Sequence, residues 1–253
     1  MSWHFATSVA CAFYGLLVGQ LVPIIIARVP EPDPQTDPDP EPVLESDVPA
    51  ATAEVEQSGD HKELYVDIAR RRGLAATCSV TCAVVAGALG GAVGWSPALS
   101  FLLYLVPVGV GLAVIDWRTR LLPTKLIAPS YLVVIALVLL SAWAESDREA
   151  LFNAGWGWLV AGGSFFALWF IYPRGMGYGD VRLSGILGIA LGYLGWTELL
   201  VGIYAGFVVG GVGGLILSLL RVVDRKAYPF GPFMLIGAVL GVVLVPALAA
   251  WYP

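Results

Sequence analysis

The chain has 253 residues, of which 58% are hydrophobic and 13% charged, with a mean hydropathy of +0.78. That combination excludes an ordinary soluble domain and a disordered chain, and it reads as an all-α polytopic membrane protein. The formal net charge of -5 does not describe a binding surface, because 12 of the 19 acidic residues fall between Glu31 and Asp67, outside the apolar segments; no nucleic-acid partner is expected.

Apolar runs long enough to cross about 30 Å of hydrocarbon as helices occur at about 4–27, 74–93, 97–115, 126–143, 155–172, 183–196, 198–220 and 231–251. This predicts about eight transmembrane helices, the sixth being short and glycine-rich. No basic segment precedes the first run and no small-residue cleavage site closes it, so it reads as a retained span and not as a secretory signal. From Pro30 to Asp60 alternating proline and acid remove backbone donors and offer little to bury, which predicts a disordered, self-repelling loop. The stretch HKELYVDIARRRG that follows reads as a juxtamembrane helix whose Arg70, Arg71 and Arg72 meet anionic lipid head groups. The chain thus divides into a first span over 1–29, an acidic loop and juxtamembrane helix over 30–73, and a seven-span core over 74–253.

Orientation follows from the basic residues, which stay on the cytoplasmic side during insertion. With eight spans and both termini outside, 13 of the 14 Lys and Arg residues fall on the inner side, leaving Arg148 alone outside. Cys11, Cys78 and Cys82 lie inside apolar runs with no histidine at ligand spacing, so neither a metal site nor a disulfide is expected, and no cofactor is implied. Cys78 and Cys82 share a helix face and read as packing or lipid-facing residues. Gly206, Gly210 and Gly214 recur every four residues, a pattern that lets a second helix approach closely. Trp95, Trp143, Trp156, Trp196 and Trp251 fall near the predicted span ends, as interface anchors do.

Two acids stand out. Asp116 closes the third run within IDWRTRLLP, and Asp180 closes GMGYGD directly after the fifth. A charge in hydrocarbon costs at least about 2.5–3.5 kcal/mol, so an acid at the edge of an apolar run serves a pathway, a proton or a reaction. Each also has a plain structural reading: Asp116 in a surface ion pair with Arg118 or Arg120, and Asp180 as a helix N-cap. Two carboxylates from different helices at one depth could meet across a bundle, where they would hold one proton between them. Such a pair can activate water and polarise a carbonyl together.

GMGYGDVRL resembles the GxGD signature of prepilin peptidases, the membrane aspartyl proteases that process type IV pilin precursors. IDWRTRLLPTKL is similar to the family's first aspartate motif, PFGPFMLIGA to its C-terminal element, and GQLVPIIIARVP more loosely to its N-terminal one, all in the family's order. The resemblance implies that Asp116 and Asp180 are the catalytic pair, that Gly177 and Gly179 shape the loop presenting Asp180, and that Pro229, Phe230, Gly231 and Pro232 form a supporting loop. It also implies a peptidase core in the seven spans and a bacterial inner-membrane location. The substrates would be prepilin or pilin-like precursors, cut on the cytoplasmic side after the Gly that ends a short basic leader. Three features depart from the family pattern: Arg182 stands where the family usually has Lys, Gln20 and Pro23 replace its usual Ser and Asn, and the interval between the first two spans carries none of the cysteines of a zinc module. A peptidase without N-methyltransferase activity is therefore expected.

Two readings from other classes compete. Intramembrane acids among glycine-rich helices could serve an ion-coupled transporter or channel, although no internal repeat is evident and the acids lie at an edge. A non-catalytic scaffold for secretion or pilus machinery would use the acidic loop as a docking arm.

Overall fold

The structure, a computed structural model, describes residues 4–30, 64–173, 176–219 and 229–249. Among these residues every regular element is a helix. The acidic proline-rich segment predicted as a disordered loop lies outside the described residues, as does Trp251.

The first run is a single 23-residue apolar segment with a break. Helix α1 (Phe5–Gly19) ends at Gln20, and α2 (Val22–Ala27) restarts with Pro23 in its first turn, where a missing N–H leaves no bond unmade. Helix α3 (Tyr65–Ala69) is the predicted juxtamembrane helix; it buries Tyr65 and Ile68 and packs on α2. The remaining runs form α4 (Leu74–Val93), α5 (Leu99–Thr119), α6 (Thr124–Glu145), α7 (Arg148–Ile171), α8 (Tyr178–Leu194), α9 (Trp196–Leu219) and α10 (Gly231–Ala249).

Over its described residues each predicted run is therefore mainly helical, and the chain is an all-α, multi-pass membrane protein. Among the described residues six segments are long and apolar enough to cross a bilayer: Phe5–Ala27, α4, α5, α6, α7 and Trp196–Gly214; Gly231–Pro246 is a shorter apolar helix. The 17 residues of α8 rise only about 25 Å, less than the hydrocarbon thickness. Its position explains this. From Asp180 to Tyr193 nearly every residue of α8 is buried among α6, α7, α9 and α10, so the helix meets protein instead of lipid and need not match the bilayer. The outer helices carry the lipid-facing side chains, among them Leu132, Leu140, Phe152 and Phe170; Trp95, Trp143 and Trp196 are exposed near helix ends, whereas Trp156 is exposed two turns inside α7, which begins earlier than the predicted fifth run.

Lipid tails are as apolar as leucine, so the helices are held together by van der Waals contact between closely approaching backbones and by hydrogen bonds between helices. Three helix pairs do this through small residues. In α1 and α4, a side chain at Gly19 would stand 2.5 Å from the Ser79 Cα, and Cys78 and Cys82 are buried beside this seam as free thiols. In α7 and α8, Gly157 faces Gly188 and Gly192. In α9 and α10, Gly202 and Gly206 face Gly237 and Gly241. The seam in α9 is thus displaced by one turn from the predicted Gly206–Gly214 stripe, because Gly210 faces the Phe230 ring instead. Gly237→Leu would force an isobutyl group into the Gly206 backbone. Overpacking of this kind costs about 1–3 kcal/mol, so a measurable fall in the melting temperature of the detergent-solubilised protein is expected. Val212→Leu, on an exposed position of α9, should leave it unchanged.

The elements alternate in direction, which collects the end of α5, the start of α6, the end of α7 and the starts of α8 and α10 at one end of the bundle. At the opposite end the Tyr193 hydroxyl donates to Glu145 Oε2 at 2.8 Å and the Ser96 hydroxyl to Oε1 at 3.2 Å, tying the end of α8 to α6. Helix α8 is thereby held at the end remote from Asp180.

Candidate functional site

The third run does not stop at residue 115 but continues as helix through Thr119, which places Asp116 inside the last turn of α5. Arg120 closes the helix in the left-handed region, with φ 55° and its N–H donated to the Asp116 carbonyl at 2.8 Å. Leu112, Ile115, Asp116 and Thr119 recur at helical spacing on one buried face. The Asp116 side chain therefore points inward, at 4% exposure, while Arg118 and Arg120 are exposed. Its hydrogen-bond partner is main chain: Gly231 N–H donates to Oδ2 at 3.0 Å. That amide is the first of α10, where no intrahelical acceptor exists, so the carboxylate supplies the missing one. The surface ion-pair reading of Asp116 is thereby replaced by a buried carboxylate at a helix N-terminus.

Asp180 is not the N-cap of its helix. Gly177 holds that position in an extended conformation, and Asp180 is the third residue of α8. From there its carboxylate lies back toward Gly177, where a built Cβ would stand 3.5 Å from Oδ2, and its own N–H donates to the Gly177 carbonyl at 3.0 Å. The side chain is 8% exposed. Beginning at Tyr178, α8 thus takes in the acid that the sequence places just before the sixth run. Of the three loop glycines, Gly175 lies outside the described residues.

Leu122 links the two acids. It sits in the short connection between α5 and α6, and side-chain carbons built at Gly179 and Gly231 would stand 2.6 Å from its Cβ and 3.5 Å from its Cδ1, respectively. Gly179 precedes Asp180, and Gly231 holds Asp116; both glycines press on one leucine, so the two carboxylates converge at one end of the bundle. A Cβ at Gly231 would also lie 2.7 Å from Asp116 Oδ2, which explains glycine at that position.

The supporting loop divides in its contacts. Gly231 bonds an acid directly, and Pro229 is buried. Phe230 packs between α7 and α9, with ring centroids 6.0 Å from Phe165 and 5.4 Å from Phe207. Pro232 lines an open apolar cleft of about 330 Å³ between α4, α5, α8 and α10.

Sequence reading missed Leu122, Thr124, Tyr131 and Tyr178. The Arg182 guanidinium donates to the Thr124 hydroxyl at the start of α6 and lies over the Tyr178 ring, 4.6 Å from its centroid. Tyr178 in turn packs against Trp169 of α7 at 5.0 Å, and the Tyr131 hydroxyl donates to the Arg182 carbonyl at 2.7 Å. Leu122 and Thr124 lie within IDWRTRLLPTKL and Tyr178 within GMGYGD, so membership of the two aspartate motifs was the signal available for them; Tyr131 lies outside both and carried none.

A multi-pass helical membrane protein with two buried carboxylates, brought together from separate helices, is the class that fold and site define. The model of the type IV leader peptidase family matches residues 103–245, more than half of the chain, and the chain belongs to that family. Among curated proteins it is similar to a prepilin leader peptidase/N-methyltransferase of Aeromonas salmonicida, 32% identical over 152 residues, covering 59% of this chain and 51% of the relative. Similar proteins of the same name occur in Escherichia coli strain K12, 32% identical over 133 residues with 51% and 56% coverage, and in Pseudomonas aeruginosa, 31% identical over 129 residues with 50% and 43% coverage. The chain spans about half the length of these relatives. No solved structure matches it.

Proposed function

We propose that the chain is a membrane aspartyl endopeptidase that removes the leader from type IV prepilin or pilin-like precursors, with Asp116 and Asp180 as its catalytic pair. The observation that carries this reading is the convergence of two buried carboxylates from α5 and α8, the first bonded to the Gly231 amide and neither ion-paired among the described residues. Two like charges close together in a buried site cannot both persist cheaply, so the pair holds one proton. The ionised carboxylate takes a proton from water as the water oxygen attacks the scissile carbonyl carbon, and the protonated carboxyl gives its proton to the carbonyl oxygen. When the C–N bond breaks, the first acid passes its proton to the leaving nitrogen and the second recovers its own from the intermediate. Cleavage falls on either side of an optimum pH, because each limb removes one of the two protonation states.

The site faces the cytoplasm in this reading. Arg28, Arg70, Arg118, Arg120, Lys125 and Arg182 all lie at helix ends on the side of the two acids, and Arg148 begins α7 at the other, which supports an inner-membrane topology with the termini outside. The family match falls within the proposed core over 74–253. Methyl transfer is left out of the proposal, since the interval 30–73 carries no cysteine.

Coexpression with candidate precursors, read by mass spectrometry of the processed N-terminus, tests the reaction, the cut position and methylation together. A product shortened to the residue after a leader Gly, with a free amine, is expected; intact precursor under conditions where a known peptidase cuts it would overturn the proposal. Deleting residues 31–60 should leave most turnover in place, whereas a scaffold that docks through this segment would lose its function.

A further inference from the structure

We infer that Arg182 is a positioning residue that latches the Asp180 turn to the α5–α6 connection, and so sets the separation of the two carboxylates. The inference rests on the peptidase reading and adds to it a part that neither acid supplies. Arg182 follows Asp180 by two residues, yet its guanidinium is engaged elsewhere, by the Thr124 hydroxyl and the face of Tyr178. A cation paired with Asp180 would favour the doubly ionised state and remove the proton that the pair must share. Held away, the same cation ties three segments together: the first turn of α8 through Tyr178, the start of α6 through Thr124, and α7 through the contact of Tyr178 with Trp169. The main chain of Arg182 is fixed independently by the Tyr131 hydroxyl.

The consequence reaches the acids through Leu122. Thr124 is two residues beyond Leu122, across Pro123, whose ring fixes φ and leaves the segment little slack. Anchoring Thr124 to α8 therefore holds Leu122 against Gly179 and Gly231, the two glycines beside the carboxylates. Without the latch, Leu122 can withdraw and the turn carrying Asp180 can swing independently of α5. Arginine suits this task because its planar fork can stack on a ring and donate from its edge at once.

The test combines kinetics with hydrogen exchange on the full-length protein in proteoliposomes. Arg182→Gln and Thr124→Val are each expected to lower kcat about tenfold with KM unchanged, and the double variant to be no worse than either alone, because both remove one contact. Arg182→Lys, which can still reach Thr124, should restore kcat to within about threefold. A raised KM at normal kcat would mean that the cation touches substrate, and multiplied losses in the double variant would mean separate roles; either overturns the latch. Exchange at the amides of residues 178–181, followed by mass spectrometry, should quicken in Arg182→Gln and Thr124→Val but not in Arg148→Gln. This arm needs no cleavage, so a protein without peptidase activity in which exchange still quickens would sink the functional reading and leave the latch intact. Unchanged exchange would sink the latch alone.

Discussion

Asp116→Asn and Asp180→Asn are each expected to reduce cleavage of a prepilin-like precursor by roughly 10²–10⁴-fold, the range supplied by general acid–base catalysis, while leaving the protein inserted and folded. The substitution is nearly isosteric. In Asp116→Asn the amide oxygen can still accept from Gly231 N–H, and in Asp180→Asn the main-chain bond from residue 180 to the Gly177 carbonyl is untouched, so the geometry of both turns is preserved. What disappears is the exchangeable proton and the base that receives it. One remaining carboxyl cannot be ionised for the water and protonated for the carbonyl in the same step, so the single losses should be as large as the double loss. Turnover in proteoliposomes, with the melting temperature as the folding control, measures this. Near-normal activity in either variant would remove that residue from the mechanism.

The second large effect is steric. Gly179→Val places its Cβ 2.6 Å from the Leu122 Cβ, and Gly231→Ala places one 2.7 Å from Asp116 Oδ2. Neither contact is sustainable, so the α5–α6 connection must retreat or the carboxylate must leave its amide. A displacement of about 1 Å in a catalytic group can cost 10²-fold in rate, and losses of that order in kcat are expected for both variants. Gly163→Ala on α7, where a new Cβ meets nothing within 4 Å, is the matched control and should be silent. Normal turnover in both crowded variants would show that the carboxylates tolerate a looser site than the structure describes.

Much of this arrangement was legible from the letters, for reasons that are local. A run of apolar residues longer than the hydrocarbon is thick must satisfy its backbone internally, so the positions of the helices follow from hydropathy. The helix ends were less legible. Arg118 and Arg120 make the end of α5 read as a polar edge, but a helix continues as long as its i→i−4 bonds close, here to Thr119. Asp180 is a favoured N-cap by residue type, and only the extended conformation of Gly177 moves the cap three residues earlier. The glycine stripe of α9 was seen one turn off, since a stripe marks which face is small and not which turns the partner helix touches.

The site shows the same division. The two aspartates declared themselves because a carboxylate beside an apolar run is costly wherever the chain goes, and the glycines around them because a sharp turn needs small residues. Leu122 declared nothing, being one leucine among many. The sequence by itself determined a bundle of membrane helices, the kind of group available for chemistry, and the segments that carry it, all properties of short stretches of chain. That Asp116 meets an amide 115 residues away, that one leucine wedges between the two glycines, and that a short eighth helix lies sheathed in protein were decided only by tertiary packing. Those contacts join residues whose proximity depends on how whole helices seat against one another, and no local pattern encodes that.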